Sequence, residues 1–215
     1  MRVGLFGGSF NPIHLGHLRA AEEVREAMQL DLVYFIPAAS PPHKSADGLA
    51  AADHRLRMVQ LATKGNRHFM VSDTEIRRGG QSYTVDTIRH FRATLRAQAV
   101  LFLMMGTDSF VELDTWKEAG EIAATCSIIV HTRAPVIEAQ RSPATLATVQ
   151  RFGYIAKSGY YVHPSGQTLN FISTTFLPIS ASSIRAKLQA QQSARYLVPA
   201  DVLDYIQRHA LYQAG

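Results

Sequence analysis

Arg2-Val3-Gly4-Leu5-Phe6 runs straight into Gly7-Gly8-Ser9-Phe10-Asn11-Pro12-Ile13-His14-Leu15-Gly16-His17-Leu18, and this succession of residue types decides the fold. Residues 2–6 form a short apolar run that reads as a first buried strand. Gly7 and Gly8 let the backbone turn tightly after it and let a phosphate approach the turn's N–H groups. From about residue 15 to residue 28, Leu18, Ala21, Val24 and Met28 recur at helical spacing, while Glu22, Glu23, Arg25 and Glu26 take the other face. A strand, a glycine turn and an amphipathic helix predict the opening unit of an α/β sheet. The helix start is an anion site, because its first N–H groups are free and the macrodipole is positive there. His14 and His17, three apart, face the same way from that start. Gly16 keeps the wall between them open.

The alternation continues outward. Residues 32–36, 69–72, 99–105 and 127–130 are four more strand-like runs, the first stopped by Pro37 and the third by Gly106. Between them, Asp53 is expected to cap a helix that runs to Lys64 and ends at Gly65-Asn66. Val85, Ile88, Phe91 and Leu95 mark a further amphipathic helix, and Phe110, Leu113 and Trp116 one more. Five strands alternating with helices predict right-handed crossovers. The expected fold is a doubly wound, Rossmann-like parallel sheet with helices on both faces. Residues 134–167 give mixed signals, a helix over 143–152 and then a Gly/Tyr-rich stretch. Residues 168–173 read as another strand, and helices starting near Ser182 and Pro199 form a C-terminal helical extension. No linker cuts the chain. One domain over residues 1–215 is expected, with a Rossmann-like core in 1–133 and a C-terminal part in 134–215.

Composition narrows the class. With 215 residues, 47% apolar and 18% charged, the chain has the make-up of an ordinary globular protein with one substantial core. No apolar run approaches the roughly 20 residues that span a bilayer, and the first strand is too short for a signal peptide. Cys126 is the only cysteine, which excludes an internal disulfide and fits a reducing compartment, so a cytoplasmic setting is expected. The formal charge of +5 suits an anionic partner, but the basic residues are scattered and form no nucleic-acid-binding arm.

In open sheets of this kind ligands sit beyond the carboxyl ends of the strands. The chemistry-bearing residues follow strands directly. After the second comes Pro41-Pro42-His43-Lys44, a stiffened loop with donors for phosphate. Ser82-Tyr83-Thr84-Val85-Asp86-Thr87 opens a helix, with Ser82 or Thr84 as its expected cap. Gly106-Thr107-Asp108-Ser109-Phe110 follows the fourth strand. Its glycine permits close approach of a ligand, and Asp108 accepts hydrogen bonds of the kind a ribose offers. Trp116-Lys117 comes next, then Arg133 after the fifth strand. Near the end, Ile179-Ser180-Ala181-Ser182-Ser183-Ile184-Arg185 offers a serine-capped helix start and an arginine one turn in, whose planar fork of donors suits phosphate. Taken singly, each has a plain reading as a turn, a cap, a surface charge or core packing.

Together they have a resemblance. The His-x-Gly-His segment is similar to the (T/H)xGH signature of the nucleotidyltransferase superfamily. The longer form Gly-Ser-Phe-Asn-Pro-Ile-His-Leu-Gly-His resembles that of bacterial nicotinate-nucleotide adenylyltransferases. The segment 179–185 resembles the superfamily's ISSTxIR pattern, with Ala181 and Ser182 where the pattern has Ser and Thr. The resemblance implies ATP and nicotinate mononucleotide as substrates and Mg²⁺ riding on the triphosphate. His14 and His17 then contact the ATP phosphates, with His17 on the reacting α-phosphate, and Arg185 and the Ser180–Ser182 helix start hold the β- and γ-phosphates. Gly7, Gly8, Ser9 and Phe10 form the turn under the triphosphate, Ile179 leads into the second motif, and Gly106 and Asp108 seat the adenosine. Ser82, Tyr83, Thr84 and Trp116 take the nicotinate, with His43, Lys44 and Arg133 near its phosphate and Lys44 close to the reaction centre.

Rival readings remain at this level. A zinc site at His14 and His17 lacks a nearby Cys or carboxylate to complete it. Phosphopantetheine and cytidylyl transfer share the histidine signature without the other motifs, nicotinamide mononucleotide differs from the acid by one group, and a non-catalytic nucleotide-binding module needs the same fold. His54, His68, His90, His131, His163 and His209 receive no role. Monomer and homo-oligomer are both open. Every role depends on the first turn and the helix at Ser180 sharing one cleft.

Overall fold

Short apolar runs, glycine and proline stops and amphipathic helices assemble as the sequence predicts, with additions at the edges. The computed structural model describes residues 1–41, 48–132 and 135–213. In chain order the elements are β1 (Arg2–Gly8), α1 (Leu15–Ala27), β2 (Leu32–Pro37), α2 (Ala52–Thr63), β3 (Phe69–Val71), α3 (Thr74–Arg78), α4 (Thr84–Thr94), β4 (Val100–Gly106) and α5 (Thr107–Val111). A 3₁₀ turn (Leu113–Thr115) leads to α6 (Ala119–Thr125), β5 (Ser127–Thr132), α7 (Val136–Arg141), α8 (Pro143–Arg151), β6 (Ile155–Ala156), β7 (Tyr161–Val162), β8 (Thr168–Ser173), α9 (Ala181–Gln189) and α10 (Ala200–Arg208).

The strands form one sheet in the order β3-β2-β1-β4-β5-β8-β7-β6. Every pairing from β3 to β8 is parallel, while β7 pairs antiparallel with both β8 and β6. Residues beyond 133 therefore contribute strand β8 to the parallel sheet as well as helices. The chain reverses its direction of winding between β1 and β4, the switch point at which such sheets bind ligands.

Period-two alternation divides the core between the two faces. Val3, Leu5, Leu101, Leu103, Ile128 and Val130 point to the side covered by α4, α6 and α8. Phe6, Val33, Phe35, Phe102, Met104 and Ile129 point to the side covered by α1, α2, α9 and α10. Gly4 lies on the second face, where a Cβ would come within 2.7 Å of Met104 Sδ and 2.9 Å of Leu30 Cδ1, so the packing leaves room for hydrogen only.

Several local expectations differ. Helix α2 starts from Ala51, and Asp53 sits inside its first turn, where a carboxylate favours the macrodipole without capping. Neither Ser82 nor Thr84 caps α4. Its N-cap is Tyr83, and Ser82 Oγ instead accepts the Ala39 N–H at 2.8 Å, joining the α4 start to the end of β2. The helix expected through Phe110, Leu113 and Trp116 is α5 and a 3₁₀ turn, and Trp116 is extended at its end. The i, i+3 spacing of Phe110 and Leu113 serves two tight turns as well as one helix, and both are fully buried. Helices α3 and α7 and the β6–β7 hairpin carry too few residues to show a period.

Candidate active site

The first turn is built by burial. Phe10, 2% exposed and at φ 45°, turns its ring into the core against Phe6, Phe35 and His17, which leaves its backbone as the part available to a ligand. His14 then caps α1 from an extended conformation. Its ring stacks on that of His17 with centroids 3.6 Å apart. The His14 N–H donates to His17 Nδ1 at 3.2 Å. With Nδ1 an acceptor, neutral His17 carries its proton on Nε2, which makes that nitrogen the donor. Gly16 has a definite steric role, because a Cβ there would lie 3.1 Å from His14 Nδ1. The glycine lets the two imidazoles stack.

Asn11 is buried and spends its side chain on structure. Its amide Nδ2 donates to Gly48 O at 2.8 Å, and its Oδ1 accepts from Ala50 N–H at 3.1 Å and from Tyr212 O–H at 2.6 Å. Arg55, with no exposed surface, donates to the carbonyls of Ala50, Ser9 and Ala39 at 2.9, 2.9 and 3.0 Å. One guanidinium thus ties the turn after β1, the end of β2 and the approach to α2. Burial pulls its pKa down and pushes the Tyr212 phenol up. The sequence gives Arg55 no role, and the C-terminal stretch that ends in Tyr212 reads there as packing alone. The available signal for Arg55 is that it lies i−3 and i−4 from Met58 and Val59, on the apolar stripe of α2.

The second motif forms as its serines predict. Ser180 caps α9, its Oγ accepting from Ser183 N–H at 3.1 Å, and Ser182 Oγ lies 3.0 Å from Ser180 Oγ. Arg185 Nη1 reaches across to donate to Asn11 O at 2.8 Å. His14, Gly16, His17 and Ile179 line one solvent-open cleft of about 390 Å³, counting its mouth. Ile179, which leads into α9, thus faces the same cleft as the α1 start, while Arg185 meets the first turn at Asn11, outside the residues that line the cleft. Its far wall, Thr174 to Leu177, is pinned to α1, since Thr175 donates its N–H to Glu23 at 2.6 Å and its O–H to the same carboxylate. Burial works against that carboxylate, yet the Thr175 and Arg19 hydrogen bonds hold its pKa below the ordinary value. His131, at the end of β5, lines the cleft too, although the sequence reading gives it no role.

A second group of residues gathers beyond the same strand ends, outside the lining of that cleft. Gly106 ends β4 beside β1 and caps α5, with Asp108 exposed in the first turn of that helix. Tyr83 and Trp116 are half-buried against the core of the opposite sheet face, and Lys117 Nζ sits 4.6 Å above the Tyr83 ring and 3.4 Å from Asp86 Oδ2. Under this turn lies Glu75, buried, accepting from Thr87 O–H at 2.6 Å; burial raises its pKa above the ordinary carboxylate value, against the opposing pull of Thr87, Ser82 and Arg78. The expected residues among those described thus lie beyond the carboxyl ends of the parallel strands, on both sides of the β1–β4 switch point. His43, Lys44 and Arg133 lie outside the described residues.

A cytidylyltransferase-like family model matches residues 5–187. Proteins named "Probable nicotinate-nucleotide adenylyltransferase" match over nearly their whole length. That of Trichlorobacter lovleyi is 44% identical, covering 99% of this chain and 100% of its own. That of Geotalea daltonii is 41% identical, with 100% of both chains covered. Among solved structures, Plasmodium falciparum nicotinic acid mononucleotide adenylyltransferase complexed with NaAD is similar with a TM-score of 0.74 at 17% identity, covering 98% of this chain and 97% of that one, a likeness of fold. No helix among the described residues is long and apolar enough to cross a membrane.

Proposed function

The chain belongs to the cytidylyltransferase-like family, among relatives named for nicotinate-nucleotide adenylyl transfer along their whole length, and from this premise we propose how its residues divide the work of that reaction. The protein is a nucleotidyltransferase of NAD biosynthesis that transfers AMP from ATP to nicotinate mononucleotide, giving nicotinate adenine dinucleotide and pyrophosphate. An oxygen of the mononucleotide's phosphate bonds to the α-phosphorus of ATP. The bond from that phosphorus to the oxygen bridging to the β-phosphate breaks, and pyrophosphate leaves with the electron pair. The substrate supplies its own nucleophile, so the protein's part is position and charge.

In this reading His17 Nε2–H donates to the α-phosphate, where negative charge grows in the transition state, and His14 braces it and borders the triphosphate. The backbone of Gly7, Gly8, Ser9 and Phe10 runs under the phosphates. Arg185 has one nitrogen committed to Asn11 O, which aims the rest of its guanidinium, with Ser180 and Ser182, at the β- and γ-phosphates. Ile179 borders the nucleotide, and Gly106 and Asp108 hold the adenosine ribose. Ser82, Tyr83, Thr84 and Trp116 form the nicotinate side. His43, Lys44 and Arg133 are assigned to its phosphate from the sequence, with Lys44 nearest the reacting centre. The whole chain acts as one nucleotidyltransferase domain.

A Mg²⁺ ion would arrive with ATP. Among the described residues no group of three or more His, Cys, Asp or Glu side chains is placed to hold a metal, a donor set that suits an ion carried by triphosphate oxygens and water. Bound there, it offsets phosphate charge.

The observation that carries the reading is that His14 and His17 of the α1 start and Ile179, just before α9, line one cleft, while Arg185 of α9 bonds Asn11 of the same first turn. Pyrophosphate release with ATP and nicotinate mononucleotide tests it. Turnover with the acid, much slower turnover with nicotinamide mononucleotide and none with phosphopantetheine is the expected pattern. Nucleotide binding without pyrophosphate release from any acceptor would make the protein a binding module instead.

A further inference from the structure

His131 is the third imidazole of the cleft, and it comes from a strand. On β5, Ile129 faces the side covered by α1 and α9, so His131, two residues on, faces the same way at the strand's carboxyl end. Across the β4–β5 ladder its partner is Gly106, and a Cβ on that glycine would meet the His131 ring at 3.6 Å, so the ring lies over the start of α5. The Phe6 ring stands edge-on to both His17 and His131, with centroids 6.2 and 5.8 Å away. Phe6 therefore acts as a spacer between an imidazole from the α1 start and one from the sheet, and both face the opening lined by His14, Gly16 and Ile179. A half-exposed position at the rim of an aromatic cluster would be filled as well by Phe or Leu if packing were its purpose. An imidazole there adds ring nitrogens to a cleft that already presents donors to an anion.

We propose that His131 is a nucleotide-binding residue that donates a hydrogen bond to the ATP phosphates from the β5 side, opposite His17. The inference rests on the adenylyl-transfer reading of this cleft and adds a contact to it. One hydrogen bond to a charged acceptor corresponds to about a tenfold change in affinity.

Three variants of the full chain separate the chemistry from packing. His131→Phe keeps an aromatic ring and loses the nitrogens, His131→Ala loses both, and His131→Gln keeps a donor. Calorimetric titration uses an ATP analogue with a methylene bridge between the α- and β-phosphorus, with adenosine as the control lacking phosphate. His131→Phe and His131→Ala are both expected to bind the analogue about tenfold more weakly, to bind adenosine within about twofold of the original, and to raise KM for ATP without raising that for nicotinate mononucleotide. His131→Gln should recover part of the loss. Unchanged analogue affinity in His131→Phe, or equal losses for analogue and adenosine, overturns the proposal while leaving adenylyl transfer intact. An unsubstituted protein that binds no analogue and releases no pyrophosphate overturns both readings together.

Discussion

Arg185 and Asn11, 174 residues apart, are joined by a hydrogen bond of 2.8 Å from guanidinium to main-chain carbonyl. The bond ties the turn of the first motif to the helix of the second, so Arg185 is a strut in addition to the phosphate contact proposed for it. Its removal should cost more than a surface arginine does. Arg185→Ala is expected to lower kcat/KM for ATP by about two orders of magnitude, the loss of one or two charge-assisted hydrogen bonds. Arg185→Lys should fall between, because an ammonium cannot hold the carbonyl and a phosphate with one planar fork. Initial rates against ATP concentration check this, and a kcat/KM within twofold of the original in Arg185→Ala would sink the shared-cleft mechanism.

His17 offers a cleaner separation of catalysis from stability. Its Nδ1 accepts one N–H at the α1 start, and loss of such a cap costs on the order of 1 kcal/mol. Loss of the Nε2 donor should reduce kcat about 10²- to 10³-fold, the usual effect of deleting a transition-state donor. Single-turnover rates and urea denaturation of His17→Ala together test the claim. Normal turnover would remove His17 from the reaction.

Arg55 should show the opposite balance. Arg55→Met fills much of the volume but leaves the carbonyls of Ser9, Ala39 and Ala50 without the guanidinium that now bonds them. At about 1–3 kcal/mol for each buried group left unsatisfied, with relaxation and water recovering part, destabilisation of about 3–5 kcal/mol is expected. Chemical denaturation measures it, and a loss below about 1 kcal/mol would show that the three segments hold together without the arginine.

Glu75 sets a pH dependence of stability. Burial raises its folded-state pKa above the ordinary value of 4.5, so the folded state holds this proton more tightly than the unfolded state does. Its contribution is fully present below the ordinary value and is lost as pH rises through the raised one. Glu75→Gln cannot ionise and can still accept from Thr87. The variant should match the original near pH 4 and be the more stable of the two near pH 8. Denaturation midpoints at the two pH values decide it. A variant that loses ground as pH rises contradicts the sign.

The parallel sheet was legible because its strands are short apolar runs, those of β1, β2 and β4 ending at glycine or proline, and because the crossover rule fixes the hand of the connections. The (T/H)xGH-like turn and the second motif were legible because each combines several residue types at fixed spacing. His131, Arg55 and Asn11 were not. A lone histidine on a strand looks like packing, and its place beside His14 and His17 follows only from the strand order that brings β5 next to β4 and β4 next to β1. Arg55 looks like a helix surface charge until the segments around Ser9, Ala39 and Ala50 close over it. Ser82 was misread for a related reason, since its hydroxyl answers a distant N–H on Ala39 in place of a neighbour in its own helix.

The sheet ends on one side in β3, three residues long, and on the other in β6, two residues long. Borders this brief expose few unpaired main-chain groups, so they give another polypeptide little to extend by adding a strand. Strand addition between copies thus finds only brief edges at β3 and β6 to build on.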